Sequence, residues 1–154
     1  MDLDDFDWQL LTLLQKDCRI SNAGLAEAAG LSASSCWRRV RALEEAGLVQ
    51  RYAAVLDPAR VGMGFQAMVH VQLTRHDPEK LAEFIRVIET RPEVVECYAT
   101  TGQADYHLRV IVSDLEAYNR FLEEVLFRLP AVASAQTNVI LRSVKSYTGI
   151  SRRE

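Results

Sequence analysis

Three arginine residues, Arg38, Arg39 and Arg41, lie within four consecutive positions of this chain. Guanidinium groups bind phosphate oxygens, and they also match the O6 and N7 acceptors of guanine in the major groove of DNA. Two small residues, Ser34 and Ser35, come shortly before them and allow a backbone to approach such a groove. The residue types therefore indicate contact with nucleic acid. The alternative is a solvated helix surface on which the arginines pair with nearby glutamates.

These arginines belong to a predicted helix that starts after Ser32, a good N-cap residue, and ends before Gly47. Its apolar residues Cys36, Val40 and Leu43 recur at positions i, i+4 and i+7. At 100° per residue this spacing places the apolar residues on one face and the arginines on the opposite face or its flank. The helix is therefore expected to present its guanidinium groups outward.

Two shorter helices are predicted before it. The first is capped by Asp4 or Asp5 and ends near Cys18, and the second starts after Ser21 and stops at Gly30. Two helices joined by a tight glycine-containing turn, the second with outward arginines, are typical of a helix-turn-helix. The candidate DNA-contacting residues are Ser32, Ser34, Ser35, Trp37, Arg38, Arg39 and Arg41. Among them, the tryptophan is expected to pack beside the helix, because a duplex exposes no base faces for stacking.

The overall composition excludes several classes of protein. The chain has 154 residues, 49% of them apolar, which suffices for a buried core without disulfides or a structural metal. No window approaches the roughly 20 apolar residues of a membrane helix, and the acidic start is unlike a secretory signal. The net charge of −3 shows no general basic excess, so DNA binding depends on the local arginine cluster. Three cysteines without a CxxC spacing fit a reducing compartment, and we expect a cytoplasmic protein.

The second half of the chain alternates strands and helices. The predicted strands cover 65–74, 94–101, 106–112 and 132–145. One helix is predicted from 78 to a point before Pro92. A second helix follows the third strand, opened by a capping box of Ser113 and Glu116 and with Leu115 facing inward. The order β-α-β-β-α-β predicts a ferredoxin-like domain in which both helices cover one face of an antiparallel sheet. The fold class is therefore α+β, with an N-terminal winged helix-turn-helix.

The two halves are joined by residues 48–56, whose loose alternation predicts a strand, and by a joint rich in proline and glycine at 57–64. We expect a helix-turn-helix domain over 1–52, a linker strand and hinge over 53–64, and a ferredoxin-like domain over 65–154.

One face of the predicted sheet lacks a helix to cover it. Its residues are too apolar for water and too polar for a monomer core, which favours a homodimer that packs sheet against sheet. A dimer also suits DNA binding, since paired recognition helices reach successive major grooves. The candidate dimer-interface residues are Met68, His70, Val94, Tyr98, His107, Arg109 and Ile111.

The chain resembles the Lrp/AsnC, or feast/famine, family of prokaryotic transcriptional regulators over about residues 2–148. The opening LDDFDWQLLTLLQKDCRIS is similar to the family's first helix, and LAEAAGLSASSCWRRVRALEEAGLVQRYAAVLDPARVG resembles its helix-turn-helix and linker strand. The stretches TGQADYHLRV and VILRSVK resemble the Gly-x-x-Asp-Tyr turn and last strand of its amino-acid-sensing domain. Several separated motifs in the right order are more specific than one helix-turn-helix.

The resemblance implies a cytoplasmic, nucleoid-associated regulator that binds double-stranded DNA, forms a homodimer that assembles further, commonly to an octamer, and responds to a small amino acid. It places the effector site between dimers, around the loop after the second strand of residues 65–154. The corresponding effector-binding residues are Thr101, Gly102, Gln103, Asp105 and Tyr106. The glycine would let backbone N–H groups approach a carboxylate and the aspartate would accept from an ammonium group, although both residues also suit a plain turn.

Two features concern the identity of the effector. Family members often carry an acidic residue directly after the loop glycine, where this chain has Gln103. The run Cys36-Trp37-Arg38-Arg39 resembles a subgroup that includes cysteine-responsive regulators, which keeps a sulfur amino acid open as the effector.

No residue pattern favours catalysis or a metal. The sequence has no GxSxG elbow, P-loop or GxGxxG motif, so we expect no enzyme and no cofactor besides the amino-acid effector. The three histidines, His70, His76 and His107, have no cysteine or carboxylate at metal-ligand spacing, and we expect interface histidines and no metal site. The competing hypothesis is an amino-acid sensor that acts through a protein partner without DNA.

Overall fold

A computed structural model describes residues 2–74 and 77–152 of the chain. They form two compact units, one from Met1–Val55 and Val144–Glu154, and the other from Leu56–Ser143. The boundary at residue 55 lies within the expected linker. The C-terminal segment differs from expectation, because it groups with the first unit: the backbone of Ile150 exchanges two hydrogen bonds with the Gln15 side chain.

The first unit contains three helices, each started by a side-chain N-cap. They are α1 (Asp5–Lys16), α2 (Asn22–Ala29) and α3 (Ala33–Glu45). The caps are Asp4, Ser21 and Ser32, each accepting a backbone N–H of the first turn, so the predicted starts are confirmed. Gly30 ends α2 with φ 66°, a left-handed conformation that suits glycine, and thereby forms the turn to α3.

The second unit is a four-stranded antiparallel sheet with two α-helices. Its elements are β1 (Phe65–Leu73), α4 (Pro78–Thr90), β2 (Val94–Ala99), β3 (Tyr106–Val112), α5 (Leu115–Glu124), a short 3-10 helix (Leu126–Arg128) and β4 (Val132–Val139). The strand order is β2-β3-β1-β4, as expected for the ferredoxin-like arrangement. The α+β fold class is confirmed.

The core of this unit lies between the two helices and one face of the sheet. Alternate residues of the central strands are fully buried there, and side chains from both helices pack on them. The main members are Ala67, Val69 and Val71 of β1, Leu108 and Val110 of β3, Phe84 and Ile88 of α4, and Tyr118 and Phe121 of α5. The alternation of apolar residues along β1 (Phe65, Ala67, Val69, Val71) and β3 (Leu108, Val110, Val112) is thus the pattern of two strands with one face in the core. None of the described helices is long and apolar enough to cross a membrane.

The prediction that Val94 lies on the open face is wrong. Val94 is paired with Val110, whereas Glu96 is paired with Arg109, so two steps along β2 match one step along β3. This bulge moves Val94 to the helix-covered face, where it packs against the core. A period-two pattern cannot anticipate such a shift, because the extra residue is visible only in the pairing.

One predicted strand is absent from the described residues, and two others end earlier than predicted. Residues 48–56 form turns and irregular backbone, because no described strand lies beside them to complete a hydrogen-bonded ladder. The last strand ends at Val139 instead of residue 145, since its partner β1 begins at Phe65. β2 likewise ends at Ala99, where pairing with β3 stops.

The start of α5 also differs from the prediction. Asp114, and not Ser113, is the N-cap, and its carboxylate accepts the N–H of Ala117 at 2.8 Å. The Ser113 hydroxyl donates to that carboxylate instead. The later start turns Leu115 outward, with 64% of its surface exposed.

Replacement of Leu108 by alanine should lower the free energy of unfolding by about 2–5 kcal/mol, because it opens a cavity in the core beneath both helices. The change Leu115→Ala should cost less than about 0.5 kcal/mol, since that side chain is exposed. Urea denaturation followed by circular dichroism measures both. Equal costs would contradict the assignment of the core face.

Candidate functional sites

Arg39 does not point freely into solvent, although it belongs to the predicted arginine cluster. Its Nη1 atom lies 2.8 Å from Oδ1 of Asp7 and 2.9 Å from Oδ2 of Asp4. The guanidinium also lies 5.5 Å from the ring centre of Phe6, within the range of a cation–π contact. Asp7 is only 4% exposed, whereas the side chains of Arg39 and Asp4 are 29% and 50% exposed, so the ion pair is shielded from water on the Asp7 side only. Arg39 therefore ties α3 to the start of α1.

The two aspartates are themselves fixed by a capping box. The Asp7 N–H donates to the Asp4 carboxylate at 2.9 Å, and the Asp4 N–H donates to the Asp7 carboxylate at 3.2 Å. The hydrogen bond from the Asp7 backbone, together with Arg39, lowers the pKa of Asp4. The stability that ionised Asp4 adds to the folded state is thus fully present above the usual carboxyl pKa. It is lost as the pH falls through the lowered pKa of Asp4 in the folded state.

The exposed basic face of α3 consists of Arg38 and Arg41. Arg38 is exposed and forms no ion pair with any residue in 2–74 or 77–152. Arg41 makes an exposed pair with Glu45 at 3.0 Å, which is weak and can be exchanged for a phosphate. Ser34 lies near the start of the same face, and its hydroxyl is 3.3 Å from that of the N-cap Ser32.

Side chains from α1 and α2 hold the remaining helix ends. The Asn22 amide donates to the carbonyl of Ala33 at 2.9 Å, which links the starts of α2 and α3. The Gln9 amide donates to the carbonyl of Ala28 at 3.0 Å, which links α1 to the end of α2. Together with Arg39, these bonds make the three helices one rigid support for the arginine face.

Trp37 lies at the rim of a groove in the first unit. The groove has a volume of about 250 Å³ and is lined by Leu14, Ile20, Val40 and Tyr52 among others. The Tyr52 hydroxyl donates to Glu44 at 2.7 Å, and burial, followed by that hydrogen bond, raises the pKa of Tyr52 to about 12. The sequence pattern does not predict this groove, since it places Tyr52 in an extended strand over 48–56 at the end of the helix-turn-helix domain.

The candidate effector loop connects β2 and β3 and is anchored to the end of β1. The Asp105 carboxylate accepts the Leu73 N–H at 2.7 Å, and the Gln72 amide donates to the Gln103 carbonyl at 2.8 Å. Gly102 has φ 120° and is exposed, so a side chain at this position would strain the backbone. The structure thus keeps Thr101, Gly102 and Gln103 at the exposed loop tip.

Tyr106 departs from the loop. Its ring lies on the helix-covered face, 5.0 Å from the ring of Phe84. There it lines a cavity of about 350 Å³ between α4 and β2, together with Ile85 and Cys97. Burial, with a smaller contribution from Glu89, raises the pKa of the Cys97 thiol and keeps it protonated.

The open face of the sheet, without Val94, carries the other six candidate interface residues. His70 and His107 are directly paired across β1 and β3, with their Nδ1 atoms 2.6 Å apart. Arg109 donates to Gln66 at 3.1 Å and lies 3.7 Å from Glu96. Among the residues described, no cluster of three or more metal-ligating side chains occurs; His76 lies outside them.

The comparisons with known proteins agree with this architecture. Residues 3–50 match the winged helix-turn-helix DNA-binding family, and residues 66–150 match the Lrp/AsnC ligand-binding domain family. A helix-turn-helix unit with an outward arginine face, followed by a separate ligand-binding domain, defines a DNA-binding transcriptional regulator. The chain belongs to the Lrp/AsnC family of such regulators.

Several relatives span nearly the whole chain. The leucine-responsive regulatory protein of Escherichia coli is 39% identical over 144 residues, which cover 94% of this chain and 88% of that protein. The structure is similar to that of a Neisseria meningitidis transcriptional regulator in complex with L-methionine, with TM-score 0.93, 35% identity and 97% and 96% of the two chains covered. An AsnC family regulator from Agrobacterium tumefaciens has TM-score 0.90 and 34% identity, with 96% of each chain covered.

The change Arg39→Ala should lower the free energy of unfolding of the first unit by about 1–3 kcal/mol, because it leaves the buried Asp7 carboxylate without its cation. Arg38→Ala should change it by less than about 0.5 kcal/mol. Both tryptophans, Trp8 and Trp37, lie in this unit, so their fluorescence during urea denaturation reports on it. A stable Arg39→Ala variant would contradict the structural role of this arginine.

Proposed function

We propose that this regulator reads DNA with the exposed face of α3, through Arg38, Arg41 and the serines at the helix start. The observation that carries the proposal is that the three arginines differ in their ion pairs and in their exposure to solvent. Arg39 is held by two aspartates, whereas Arg38 and Arg41 remain exposed on one face of the helix. Arg39 then acts as a positioning residue, and Trp37 acts from the flank. Of the serines, Ser32 caps the helix, while Ser34 and Ser35 allow close approach to the duplex.

The proposed effector is a small amino acid, bound at the loop of Thr101 to Asp105. The L-methionine held by the Neisseria relative supports this class of ligand. One Asp105 oxygen already accepts a backbone N–H, and no other described residue hydrogen-bonds to this carboxylate. The carboxylate therefore has capacity for an ammonium group, while Gly102, with its positive φ, turns the loop. Tyr106 contributes by supporting the loop from the core face.

We further propose that two chains form a homodimer through the open sheet face and that these dimers assemble into a higher oligomer, an octamer. Met68, His70, His107, Arg109 and Ile111 are half-buried in the single chain, and Tyr98 is 55% exposed. A face with this mixture of apolar and paired polar groups suits a second copy of itself. The proposed role is regulatory and not catalytic, and its place is on DNA in the cytoplasm.

A second candidate function is that of an amino-acid sensor that acts through a protein partner. The groove at Trp37 favours it, because this large apolar side chain is 61% exposed on the helix-turn-helix unit. The two functions differ in their dependence on salt. The affinity for DNA through phosphate contacts falls steeply as the salt concentration rises, whereas the affinity for a protein partner through apolar contacts does not.

The affinity for DNA upstream of the protein's own gene should fall steeply between 50 and 200 mM salt. The logarithmic slope is about −0.9 for each phosphate contact, so Arg38→Ala and Arg41→Ala should each flatten it by about 1 and weaken binding. Fluorescence anisotropy with labelled duplexes measures both quantities.

Arg120→Ala is the matched control for Arg41→Ala. Arg120 makes the same exposed i,i+4 pair, with Glu116 at 2.9 Å, but lies on α5 of the other unit. It should leave the slope and the affinity unchanged. Tight protein binding from a lysate together with salt-independent or absent DNA binding would favour the sensor instead.

Isothermal titration with a panel of free amino acids should reveal one that binds and shifts the DNA affinity. Asp105→Asn should weaken this binding at least about tenfold, because the amide still accepts the Leu73 N–H but carries no charge for the ammonium group. Asp57→Asn is the control, since Asp57 also caps a turn by accepting the Ala59 N–H. Equal affinity in the Asp105→Asn variant and the wild type would remove this residue from the effector site.

A further inference from the structure

The His70–His107 pair is an uncommon feature at the centre of the open sheet face. The two residues are direct partners in the β1–β3 register, and their rings meet edge to face with centroids 4.6 Å apart. Their Nδ1 atoms approach to 2.6 Å, and Nε2 of His70 lies 3.1 Å from the Asn138 amide on β4. The pair therefore lies in the middle of the sheet, bonded across three strands.

The Nδ1–Nδ1 contact requires one proton and one lone pair. It forms when both rings are neutral, and it persists when the pair carries one positive charge, because the second ring still presents a lone pair at Nδ1. When both rings are charged, two N–H groups oppose each other and the contact must open. Asn138 tolerates either state of His70, since its amide offers both a donor and an acceptor.

The charged and titratable groups around the pair are few. Arg109 and Glu96 lie on the same face and form one ion pair, and Tyr98 is the partner of His107 on β2. Asp105 lies two residues before His107, where its carboxylate is held by the Leu73 N–H. The neighbours on β1 and β4 are uncharged: Met68 and Gln72, and Gln136 and Asn138. Protonation of both histidines thus changes the formal charge of this face from −1 to +1.

We propose that the His70–His107 pair makes the sheet-to-sheet dimer sensitive to pH, so that the dimer is stable when the pair holds at most one charge and dissociates when both rings are protonated. The inference rests on the proposed dimer. In the dimer this face is removed from water. A second charged imidazole in that interface has neither solvent nor a partner carboxylate to stabilise it. Free imidazole changes its charge between pH 5 and 8, and the experiment therefore compares the two ends of that range.

The test is the dissociation constant of the full-length dimer at pH 8.0 and pH 5.0, measured by sedimentation velocity in EDTA. The dissociation constant should rise about tenfold or more at pH 5.0, since the dissociated chains bind protons that the dimer excludes. The double variant His70→Gln, His107→Gln should lose this dependence on pH. His76→Gln, which alters the remaining histidine of the chain, should behave like the wild type.

The outcomes separate the two proposals. A monomer at pH 8.0 overturns the dimer and the switch together. A dimer whose dissociation constant is the same at both pH values overturns only the switch, as does a dimer whose pH dependence survives in the double variant. Where the double variant does not fold by circular dichroism, His107→Gln alone is used. The glutamine carbonyl accepts from a charged or neutral His70, so that variant should also lose the pH dependence.

Discussion

The ion pair of Arg39 with Asp4 and Asp7 is the interaction on which the DNA-binding unit depends. It joins the third helix to the N-terminal turn of the first, and a nearly buried carboxylate requires its cation to be present. The capping box fixes the two aspartates relative to each other, so local structure in α1 provides the carboxylates to which Arg39 of α3 binds. Arg38 and Arg41 are exposed because they lie on the side of α3 away from its buried residues Cys36 and Leu43.

The ligand-binding unit is organised around β1 and β3 in a similar way. One face of these strands is the core beneath the helices, and the other carries the histidine pair and the proposed dimer contact. The loop before β3 is tied to the end of β1 through Asp105 and Gln72. The proposed effector loop and the proposed dimer face therefore involve the same two strands.

The limits of sequence-based prediction are physical ones. Caps, glycine stops and apolar periodicity are local, and they located every α-helix start of the first unit and the core face of β1 correctly. Strand ends depend on where the partner strand ends, which explains the shorter β4 and the missing strand over 48–56. Val94 was misplaced because a bulge reverses the face of one residue without altering the pattern. The aspartates at the start of α1 predicted a helix cap, but neither the reciprocal capping box with Asp7 nor its arginine partner.

The sequence by itself determined the order of the elements, the helix-turn-helix with its arginines, and the family, because these follow from local propensity and from motifs in order along the chain. Only the tertiary structure decided which arginine is structural, which face Val94 and Tyr106 occupy, and that the imidazoles of His70 and His107 share one hydrogen bond. The arginine and histidine contacts join residues more than 30 positions apart, and the Val94 and Tyr106 placements depend on pairing and packing between separate elements. Such contacts are set by packing and register, which no local pattern encodes.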